Sequence, residues 1–397
     1  MLKRKLKILF TILYFPPAWG YGGPVKVAYN YAKELVARGH KVTVYTTDTL
    51  DNVSRIYRKH NILEGIEVIY LSNISNFLAS KKIFLTPSFP FLIKKTIKNF
   101  DLVHCFDFRN LQNIAVNYFA IKNQVPYCLS VFGQINRGRG LLSMVKFCYD
   151  VLSGRRILKY ASCIFAQNDH EEQTIAKQHI KKEKIAKLPL AIDLSEFQDL
   201  PQKGEFRKKY GINENDFLML FVGRIHYLKG IDTIIKALPG IKKKIRNVKL
   251  VIVGRDDGYL SQIRILTKAK DLERSVIFAG PVYEKERISI YRDTNIFIIT
   301  PRFPEETSLA SLEAAACGIP IIVNQNCQVP HLANYNGGIT LKDDNADTLV
   351  NAVYDLHKNE KSAGEMAKKM VDKEYSIEKV VNTLEKIYYG QVLGGKP

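Results

Sequence analysis

The sequence predicts an α/β protein that is built from two domains. Short apolar runs alternate with amphipathic helical patterns through both halves of the chain, and this alternation is typical of parallel strands joined by helices. A chain of 397 residues is long for one hydrophobic core, so two domains are expected. We assign residues 1–190 to the first domain, 191–372 to the second, and 373–397 to a final helical segment.

The first half of the chain contains six short runs of apolar and β-branched residues that predict strands. They lie at residues 7–13, 42–46, 68–71, 102–106, 127–131 and 163–166. The helical periodicity between these runs predicts helices near residues 24–37, 88–98, 110–122, 141–160 and 170–178. Residues 189–197 follow and are interpreted as the linker between the domains.

The second half repeats this alternation. Its predicted strands lie at residues 217–222, 249–253, 275–279, 296–299 and 321–323. Its predicted helices lie near residues 230–244, 258–270, 284–292, 308–316, 345–358, 362–371 and 376–389.

The amino-terminal region has a basic start and an apolar run at residues 8–15, as a signal peptide would. We interpret the run as a buried strand, because it is short and is followed by Pro-Pro-Ala-Trp instead of a cleavage site. No apolar run approaches the roughly 20 residues that cross a bilayer. The six cysteines lack metal-type spacing, so we expect free, buried thiols in a reducing compartment.

Most of the net charge of +20 lies in the first half of the chain. Residues 1–190 contain 29 Lys and Arg against 12 Asp and Glu, whereas residues 191–397 contain 30 against 27. This asymmetry indicates an anionic partner, either nucleic acid or membrane, with an ordinary solvated basic face as the alternative. Nucleic-acid-binding motifs are missing from the sequence, so we expect no nucleic acid.

Basic residues alternate with apolar ones between residues 76 and 98, and this mixture favours an anionic membrane surface. The basic residues that would attract the membrane are Lys81, Lys82, Lys94, Lys95 and Lys98. The apolar residues that would insert are Phe77, Phe84, Leu85, Phe89, Phe91, Leu92 and Ile93.

Two carboxylates, Glu305 and Glu313, stand eight positions apart in an otherwise apolar region. Ser308 is placed to cap a short helix that ends at Gly318, and the free N–H groups at the start of that helix would bind phosphate. We expect Glu305 just before the helix and Glu313 facing the same side, where both could accept hydrogen bonds from sugar hydroxyls. This pattern indicates a nucleotide-sugar site; the alternative is a capped core helix with two solvated carboxylates.

Arg224 and Lys229 come directly after a predicted buried strand, at the sheet edge where open α/β folds bind ligands. Breaking a glycosyl–phosphate bond builds negative charge on the diphosphate, and fixed cations stabilise that charge without a metal. The sequence has no Asp-x-Asp in a metal-binding context, so we expect no metal and no cofactor besides the donor substrate. Solvated loop charges are the alternative.

Residues 304–320 resemble the two-glutamate motif of retaining glycosyltransferases of family four. Residues 223–230, Gly-Arg-Ile-His-Tyr-Leu-Lys-Gly, resemble the diphosphate-binding segment of the same family, and the order of the two segments matches. The resemblance implies the GT-B fold, in which two Rossmann-like domains face a central cleft and the last helix packs back on the first domain. It covers the whole chain, more loosely in the first half.

The resemblance also implies roles for individual residues. Glu305 would bind hydroxyls of the donor sugar, and Glu313 would bind the ribose. The implied catalytic residues are Arg224, Lys229 and Glu305. The implied donor-binding residues are Gly22 and Gly23 in a Gly-Gly loop, Gly223, Val282 in the loop that holds the base, Thr307, Ser308, Leu309 and Glu313.

One position departs from the family pattern. Phe132 takes the place where many members carry a histidine that contacts the donor sugar. Gln134, Asn136 or Arg137 could supply the missing polar contact. We interpret His104 as a histidine of the core or of the cleft wall.

We therefore expect a retaining hexosyltransferase that moves a sugar from an NDP-sugar to a lipid-linked or other saccharide acceptor, in cell-surface polysaccharide or glycan synthesis. It would be cytoplasmic and peripheral at the inner face of the membrane. The alternatives are a nucleotide-sugar-binding paralogue with weak or no transferase activity, a UDP-sugar epimerase of GT-B fold, and a basic nucleic-acid binder.

Overall fold

The computed structural model of the protein describes residues 4–51, 53–80, 83–136, 141–282, 284–305 and 307–394. The chain forms two compact units. The first comprises Met1–Ala191 together with Ile377–Pro397, and the second comprises Ile192–Ser376.

The first unit is built on a mostly parallel sheet. Its strands in the described residues are β1 (Lys7–Thr11), β2 (Lys41–Thr47), β3 (His60–Leu63), β4 (Ile66–Leu71), β5 (Leu102–Phe106), β6 (Tyr127–Ser130), β7 (Cys163–Ala166) and β8 (Ile185–Lys187). Their order across the sheet is β3-β4-β2-β1-β5-β6-β7-β8, and only β3 runs antiparallel to its neighbour.

The helices of this part of the chain connect the strands. They are α1 (Gly23–Ala37), α2 (Asn76–Ser80), α3 (Phe89–Thr96), α4 (Leu111–Asn123), α5 (Leu141–Tyr149), α6 (Arg155–Tyr160) and α7 (Asp169–Ala176). A π-helical turn at Asp150–Gly154 joins α5 to α6, so the single helix expected at 141–160 is interrupted. The buried carboxylate of Asp150 pairs with Arg109 from this turn.

The second unit has a parallel sheet throughout its described strands. These are β9 (Phe217–Val222), β10 (Val248–Val253), β11 (Val276–Gly280), β12 (Ile296–Ile299), β13 (Ile321–Asn324) and β14 (Gly338–Leu341). They are ordered β11-β10-β9-β12-β13-β14. Its helices are α8 (Glu205–Lys209), α9 (Ile231–Lys244), α10 (Leu260–Ala269), α11 (Glu284–Asp293), α12 (Leu309–Ala316), α13 (Leu332–Tyr335), α14 (Ala346–Lys358) and α15 (Glu360–Met370).

The last helix, α16 (Ile377–Leu393), belongs to the first unit and contacts α1. Arg38 bonds to the Asn382 side chain and the Glu378 carbonyl, and it pairs with Glu385. The helix begins within one residue of the predicted position 376. The final segment assigned from residue 373 begins inside a π-helical turn at residues 371–375, which continues α15.

The first-unit sheet is covered on both faces. Leu9, Val103 and Cys105 point into an apolar cluster with residues of α3, α4, α6 and α7. The alternate side chains, Phe10 and His104, point to the other face, where the His104 ring lies edge-on to Tyr388 of α16. This alternation follows from the two-residue period of a strand.

The face that we expected to insert into a membrane is only partly exposed. Phe84, Phe89 and Ile93 are buried in the apolar cores, so the expectation that they insert is wrong. Phe77 and Phe91 are exposed. Lys81 and Lys82 lie outside the described residues.

All six cysteines are free, but they are not all buried. Cys148 is exposed and Cys317 is partly exposed, so the expectation of buried thiols is wrong for these two. In the part of the chain that the structure describes, no helix combines the length and the apolar character needed to cross a bilayer.

Candidate functional site

The second-unit sheet reverses its strand order between β9 and β12. From β9 the chain continues to β10 and β11 on one side, and it then returns to β12 on the other side of β9. In open α/β sheets, ligands bind at the carboxyl ends of the strands at such a switch point. Arg224 and Lys229 follow β9, and Glu305 follows β12, so the predicted catalytic residues all leave the sheet at this edge.

Arg224 is held in a segment that continues to pair with the chain after β10. The Gly223 N–H donates to Val253 O at 3.0 Å, and the Ile225 N–H donates to Arg255 O at 2.9 Å. Gly254 allows this approach, because a Cβ there would lie 1.8 Å from the Gly223 carbonyl oxygen. The pairing brings Asp257 beside Arg224, and the two side chains form an ion pair.

Lys229 and Glu305 form a second ion pair, with 2.6 Å between Nζ and Oε2. Lys229 ends a 3₁₀ turn at Tyr227–Lys229, directly before Gly230. Gly230 has φ +67°, and a Cβ there would lie 1.9 Å from the Thr300 carbonyl oxygen. The glycine therefore lets the Lys229 turn lie against the chain that leaves β12.

Arg302 connects the chain after β12 to the turn that carries Lys229. The backbone N–H of Arg302 donates to Leu228 O at 2.9 Å. Its guanidinium lies 4.3 Å from the centre of the Tyr227 ring and pairs with Asp232. Burial would raise the pKa of Asp232, but Lys236 and Arg302 outweigh burial and lower it. This charged cluster fixes the backbone that carries Lys229.

The helix start predicted at Ser308 is confirmed. The Ser308 side chain accepts from the Ser311 N–H at 3.3 Å and caps α12. The Thr307 hydroxyl donates to Gln328 O at 2.8 Å, and the Glu305 N–H donates to Asn326 O at 2.7 Å. These bonds fix the chain before the helix, and the backbone N–H groups of the first turn remain suited to an anion.

Glu313 lies one turn into α12 and is only 5% exposed. Its Oε1 lies 2.5 Å from Nη1 of Arg287, and its Oε2 accepts from the Tyr291 hydroxyl at 3.1 Å. Arg287 also donates to Glu196 at 2.8 Å. Glu313, the residue predicted to bind the ribose, therefore lies in a buried ionic network, and not among solvated groups.

Burial and Glu313 change the acid–base properties of this network. Burial raises the pKa of the Tyr291 hydroxyl, and the Glu313 charge raises it further. Burial alone would lower the pKa of Arg287, but Glu313 and its other neighbours outweigh burial and raise it. Arg287 therefore stays cationic and Tyr291 stays a neutral donor.

Val282 lies in the connection between β11 and α11, two residues after Gly280. The Gly254 N–H donates to Gly280 O at 2.9 Å, which ties this connection to the loop after β10. Tyr283, which follows Val282, lies outside the described residues, as does Glu306, which follows Glu305.

The first-unit sheet has its own switch point, between β1 and β5. Gly22 and Gly23 lie in the chain after β1, where Gly23 begins α1. Gly22 has φ +92°, which favours glycine, and a Cβ on either residue would meet no atom within 4 Å. Space is therefore available beside this turn within the first unit.

Phe132 has φ +45° and its ring stacks on Phe106 with 6.1 Å between the ring centres. The Gln134 amide oxygen accepts from the Phe108 and Arg109 N–H groups, and its amide nitrogen donates to Asp107. Gln134 is thus engaged within the first unit, which argues against it as a replacement for the missing histidine. Arg137 lies outside the described residues.

His104 is a core residue. It is fully buried, with Nδ1 2.6 Å from the Tyr388 hydroxyl and Nε2 2.8 Å from Oγ of Ser130. Burial lowers the pKa of its imidazole to about 3. It is therefore neutral at physiological pH.

Sequence reasoning missed three residues that contact the predicted ones, namely Asp257, Arg287 and Tyr291. Arg287 and Tyr291 stand four residues apart, which places them on one face of α11. The sequence signal that could have revealed this pair is an arginine on the same helical face as Tyr291, a face that packs against the core. In the described residues, no group of three or more His, Cys, Asp or Glu could hold a metal ion.

Comparisons with known proteins cover both units. Residues 202–375 match the family of glycosyl transferases group 1, and residues 21–196 match glycosyltransferase family 4. The chain is 26% identical over 335 residues to an uncharacterized glycosyltransferase of Methanocaldococcus jannaschii, covering 80% of each chain. It is 25% identical over 339 residues to the alpha-monoglucosyldiacylglycerol synthase of Streptococcus pneumoniae, covering 82% of this chain and 72% of that protein.

The solved structure of Anabaena HepE in complex with UDP and glucose has a similar fold. Its TM-score is 0.75, with 15% sequence identity over 96% of this chain and 99% of that chain. This likeness supports the GT-B fold for the two α/β units. With family matches across both units, the chain belongs to the group 1, family 4 glycosyltransferases.

Proposed function

We propose that this glycosyltransferase moves a hexose from a nucleoside-diphosphate sugar to a lipid-linked or other saccharide acceptor, with retention of the anomeric configuration. The observation that carries the proposal is the Lys229–Glu305 pair at the switch point of the second unit. It combines a cation for phosphate with a carboxylate for sugar hydroxyls, next to the capped start of α12.

The chemistry assigned to these residues follows the charge that develops during transfer. As the glycosyl–phosphate bond breaks, negative charge grows on the leaving diphosphate, and Arg224, Lys229 and the first turn of α12 would stabilise it. Glu305 would hold the donor sugar, and Glu313 would hold the ribose. Fixed cations and backbone donors can do this without a metal, so we propose metal-independent transfer.

Two relatives support the substrate classes. The name of the Streptococcus pneumoniae relative describes a lipid-glucosylating enzyme, and the Anabaena structure holds UDP and glucose. We extend this chemistry to a lipid-linked or other saccharide acceptor of cell-surface glycan synthesis. The enzyme would then work in the cytoplasm, peripherally at the inner face of the membrane.

Titration of donor and free nucleotide into two variants tests the assignment. We expect Glu305→Gln to weaken the intact donor more than the nucleoside diphosphate, because its contact is with the sugar. Glu313→Gln should weaken both, because the ribose is common to both. Calorimetry with UDP, GDP and ADP and their glucose or mannose forms, in excess chelator, provides the measurement. Equal losses of donor and nucleotide in Glu305→Gln would refute the role of Glu305, and unchanged nucleotide binding in Glu313→Gln would refute the role of Glu313.

A second candidate is a nucleotide-sugar-binding protein with weak or no transferase activity. Phe132 favours it, because the residue in the usual histidine position stacks on Phe106 and offers no polar contact. Donor binding without transfer to any acceptor, and without slow donor hydrolysis, would support this candidate over the enzyme.

A further inference from the structure

We propose that one exposed face of the segment formed by α5, the π-helical turn and α6 inserts into an anionic membrane leaflet. The face consists of the exposed residues Met144, Val145, Phe147, Cys148, Val151, Leu152, Arg155, Arg156, Lys159 and Tyr160, and we call it the α5–α6 face. The inference rests on the proposed function, since an acceptor carried by lipid would be met at such a surface.

The first part of the α5–α6 face is apolar where a surface helix is normally polar. Leu152 is 80% exposed and Met144 66%, and Val145, Phe147 and Val151 are also exposed. Scattered single apolar residues on a surface need no explanation, but these are consecutive on one helical stripe. Exposing these side chains to water costs free energy. That free energy is recovered when the stripe enters an apolar phase.

The opposite side of the same segment is fixed to the core, so the stripe cannot turn inward. Ile157 and Leu158 belong to the apolar cluster of the first unit. Asp150 pairs with Arg109, and the Tyr149 hydroxyl donates to Asn110 O at 2.7 Å. The fold itself therefore presents the apolar stripe to the surroundings.

The second part of the face is basic. Arg155, Arg156 and Lys159 are exposed and follow the apolar stripe along the same helical segment. An apolar stripe beside basic residues is the pattern of a helix that lies in the headgroup region of an anionic membrane. The same charges argue against a second copy as the occupant, because a face-to-face dimer would bring like charges together.

The wider surface of the first unit agrees with this partner. Among the described residues, 17 of the 21 exposed large apolar side chains belong to the first unit. The excess of basic residues lies in the same part of the chain. Since Phe84, Phe89 and Ile93 are buried, the α5–α6 face replaces residues 76–98 as the main inserting surface.

Vesicle binding by the full-length protein tests the proposal. We expect co-sedimentation with phosphatidylglycerol-containing vesicles and much weaker binding to pure phosphatidylcholine vesicles. Replacing Arg155, Arg156 and Lys159 by Gln should weaken binding about a hundredfold, at roughly fivefold for each charge near the surface. The variant Val151→Asp/Leu152→Asp should lose binding, whereas Ile265→Asp, at an equally exposed apolar site on α10, should bind like the wild type.

A fluorescent label on Cys148 gives a direct readout, because this thiol lies on the α5–α6 face. In a Cys317→Ala background, an environment-sensitive dye at Cys148 should shift to the blue with anionic vesicles. As a control, a dye attached to Ile265→Cys in a protein whose two accessible thiols, Cys148 and Cys317, are replaced by Ala should not shift. An unshifted dye at Cys148, or wild-type vesicle binding by the Arg155/Arg156/Lys159 variant or by Val151→Asp/Leu152→Asp, would overturn the proposal.

Nucleotide binding, measured on the same samples by thermal shift, separates this proposal from the proposed function. Vesicle binding without any response to UDP, GDP or ADP would count against the transferase and leave the membrane surface standing. A nucleotide response without vesicle binding would do the reverse. Concentration-dependent dimerisation abolished by Val151→Asp/Leu152→Asp, with no vesicle binding, would assign the face to a second copy instead.

Discussion

At the residue scale, both predicted cations at the second-unit switch point, Arg224 and Lys229, are paired with a carboxylate. Lys229 pairs with Glu305 in a partly buried setting, whereas the Arg224–Asp257 pair is more exposed. Exposed pairs contribute little, typically under about 1 kcal/mol, so a diphosphate can compete for Arg224 at small cost. In the proposed function, Asp257 would therefore limit the affinity for the leaving group without preventing its binding.

If the proposed function holds, we expect Arg224→Ala and Lys229→Ala each to reduce kcat by roughly 10²–10³-fold, because each would remove a charge that stabilises the developing diphosphate. Asp257→Asn should instead tighten the product nucleotide by up to about fivefold, since Arg224 loses its competitor. Steady-state kinetics and product titration measure these effects. Lys244→Ala is the control, because Lys244 bonds to Asn351 on the far helices; an equal loss there would show that general charge, and not these contacts, is responsible.

The buried Arg287–Glu313 pair gives a second prediction. Arg287→Met should destabilise the second unit by about 3–5 kcal/mol, because it leaves the Glu313 carboxylate buried without its cation. The double variant Arg287→Met/Glu313→Gln should recover most of that loss, since no buried charge remains. Chemical denaturation of Arg287→Met, Glu313→Gln and the double variant provides the measurement. A double variant whose loss equals the sum of the two single losses would mean that the two side chains do not depend on each other.

The residue patterns predicted where the site residues lie along the helices better than they predicted which side chains contact them. Ser308 and Glu305 were placed correctly at the start of α12, because capping and chain order are local properties. The burial of Glu313 depends on Arg287 and Tyr291, which lie on another helix more than 20 residues earlier in the chain. A spacing rule along one helix carries no information about a partner from a different element.

At the element scale, strands made of buried apolar residues were predicted with their bounds, and short elements without such a run were missed. β5, β7, β9 and β12 have the predicted bounds, and nearly all of their residues are buried and apolar. β3 and β14 are as long as β7 and β12, but most residues of β3, β8 and β14 are only partly buried or exposed. Helices α2, α8 and α13 are only four or five residues long, which is too short to show a helical period. The π-helical turn between α5 and α6 was also missed, because the local sequence is helical throughout.

Gly154, at the end of that π-helical turn, provides a test at this scale. A Cβ there would lie 3.0 Å from Cζ of Phe108, which is buried, and 3.1 Å from the Asp150 carboxylate. We expect Gly154→Ala to destabilise the first unit by about 1–3 kcal/mol, because crowding outweighs the gain in helix propensity.

Gly390 is the matched control, since it lies inside α16 and a Cβ on it would meet no atom within 4 Å. Gly390→Ala should stabilise the same unit by about 0.5–1 kcal/mol. Trp19 is the only tryptophan of the chain and belongs to the first unit, so its fluorescence reports both variants. Equal stabilisation by both substitutions would show that the Gly154 site has room to spare.

At the scale of the whole molecule, the alternation of runs predicted both sheets and their parallel character. The strand order could not be predicted from this alternation. After β1 or β9 the chain can add its next strand on either side, and both choices give the same pattern of runs along the sequence. The return of α16 to the first unit rests on contacts far apart in sequence, such as His104 with Tyr388. Only the resemblance to a family gave that expectation.

Two buried groups in the first unit give its stability opposite dependences on pH. Burial raises the pKa of Glu171 from 4.5 to about 7, although the Gly133 and Gln167 N–H groups donate to its carboxylate. Burial lowers the pKa of His104 to about 3. Glu171 therefore makes the folded state bind a proton more tightly than the unfolded state, and its contribution is lost as pH rises from about 4.5 through 7. His104 acts in the reverse sense, with a contribution that is lost as pH falls below about 6.5.

Glu171→Gln isolates the first of these effects. The amide cannot ionise, and its lost acceptor oxygen costs the same free energy at every pH. We expect the free energy of unfolding of the variant minus that of the wild type to rise by about 3 kcal/mol between pH 4.5 and 7, and to be flat on either side. The His104 contribution is common to both proteins and cancels in the difference. Denaturant titrations followed by Trp19 fluorescence measure it in the unit that holds Glu171; a difference that does not change with pH would show that Glu171 titrates alike in the folded and unfolded chain.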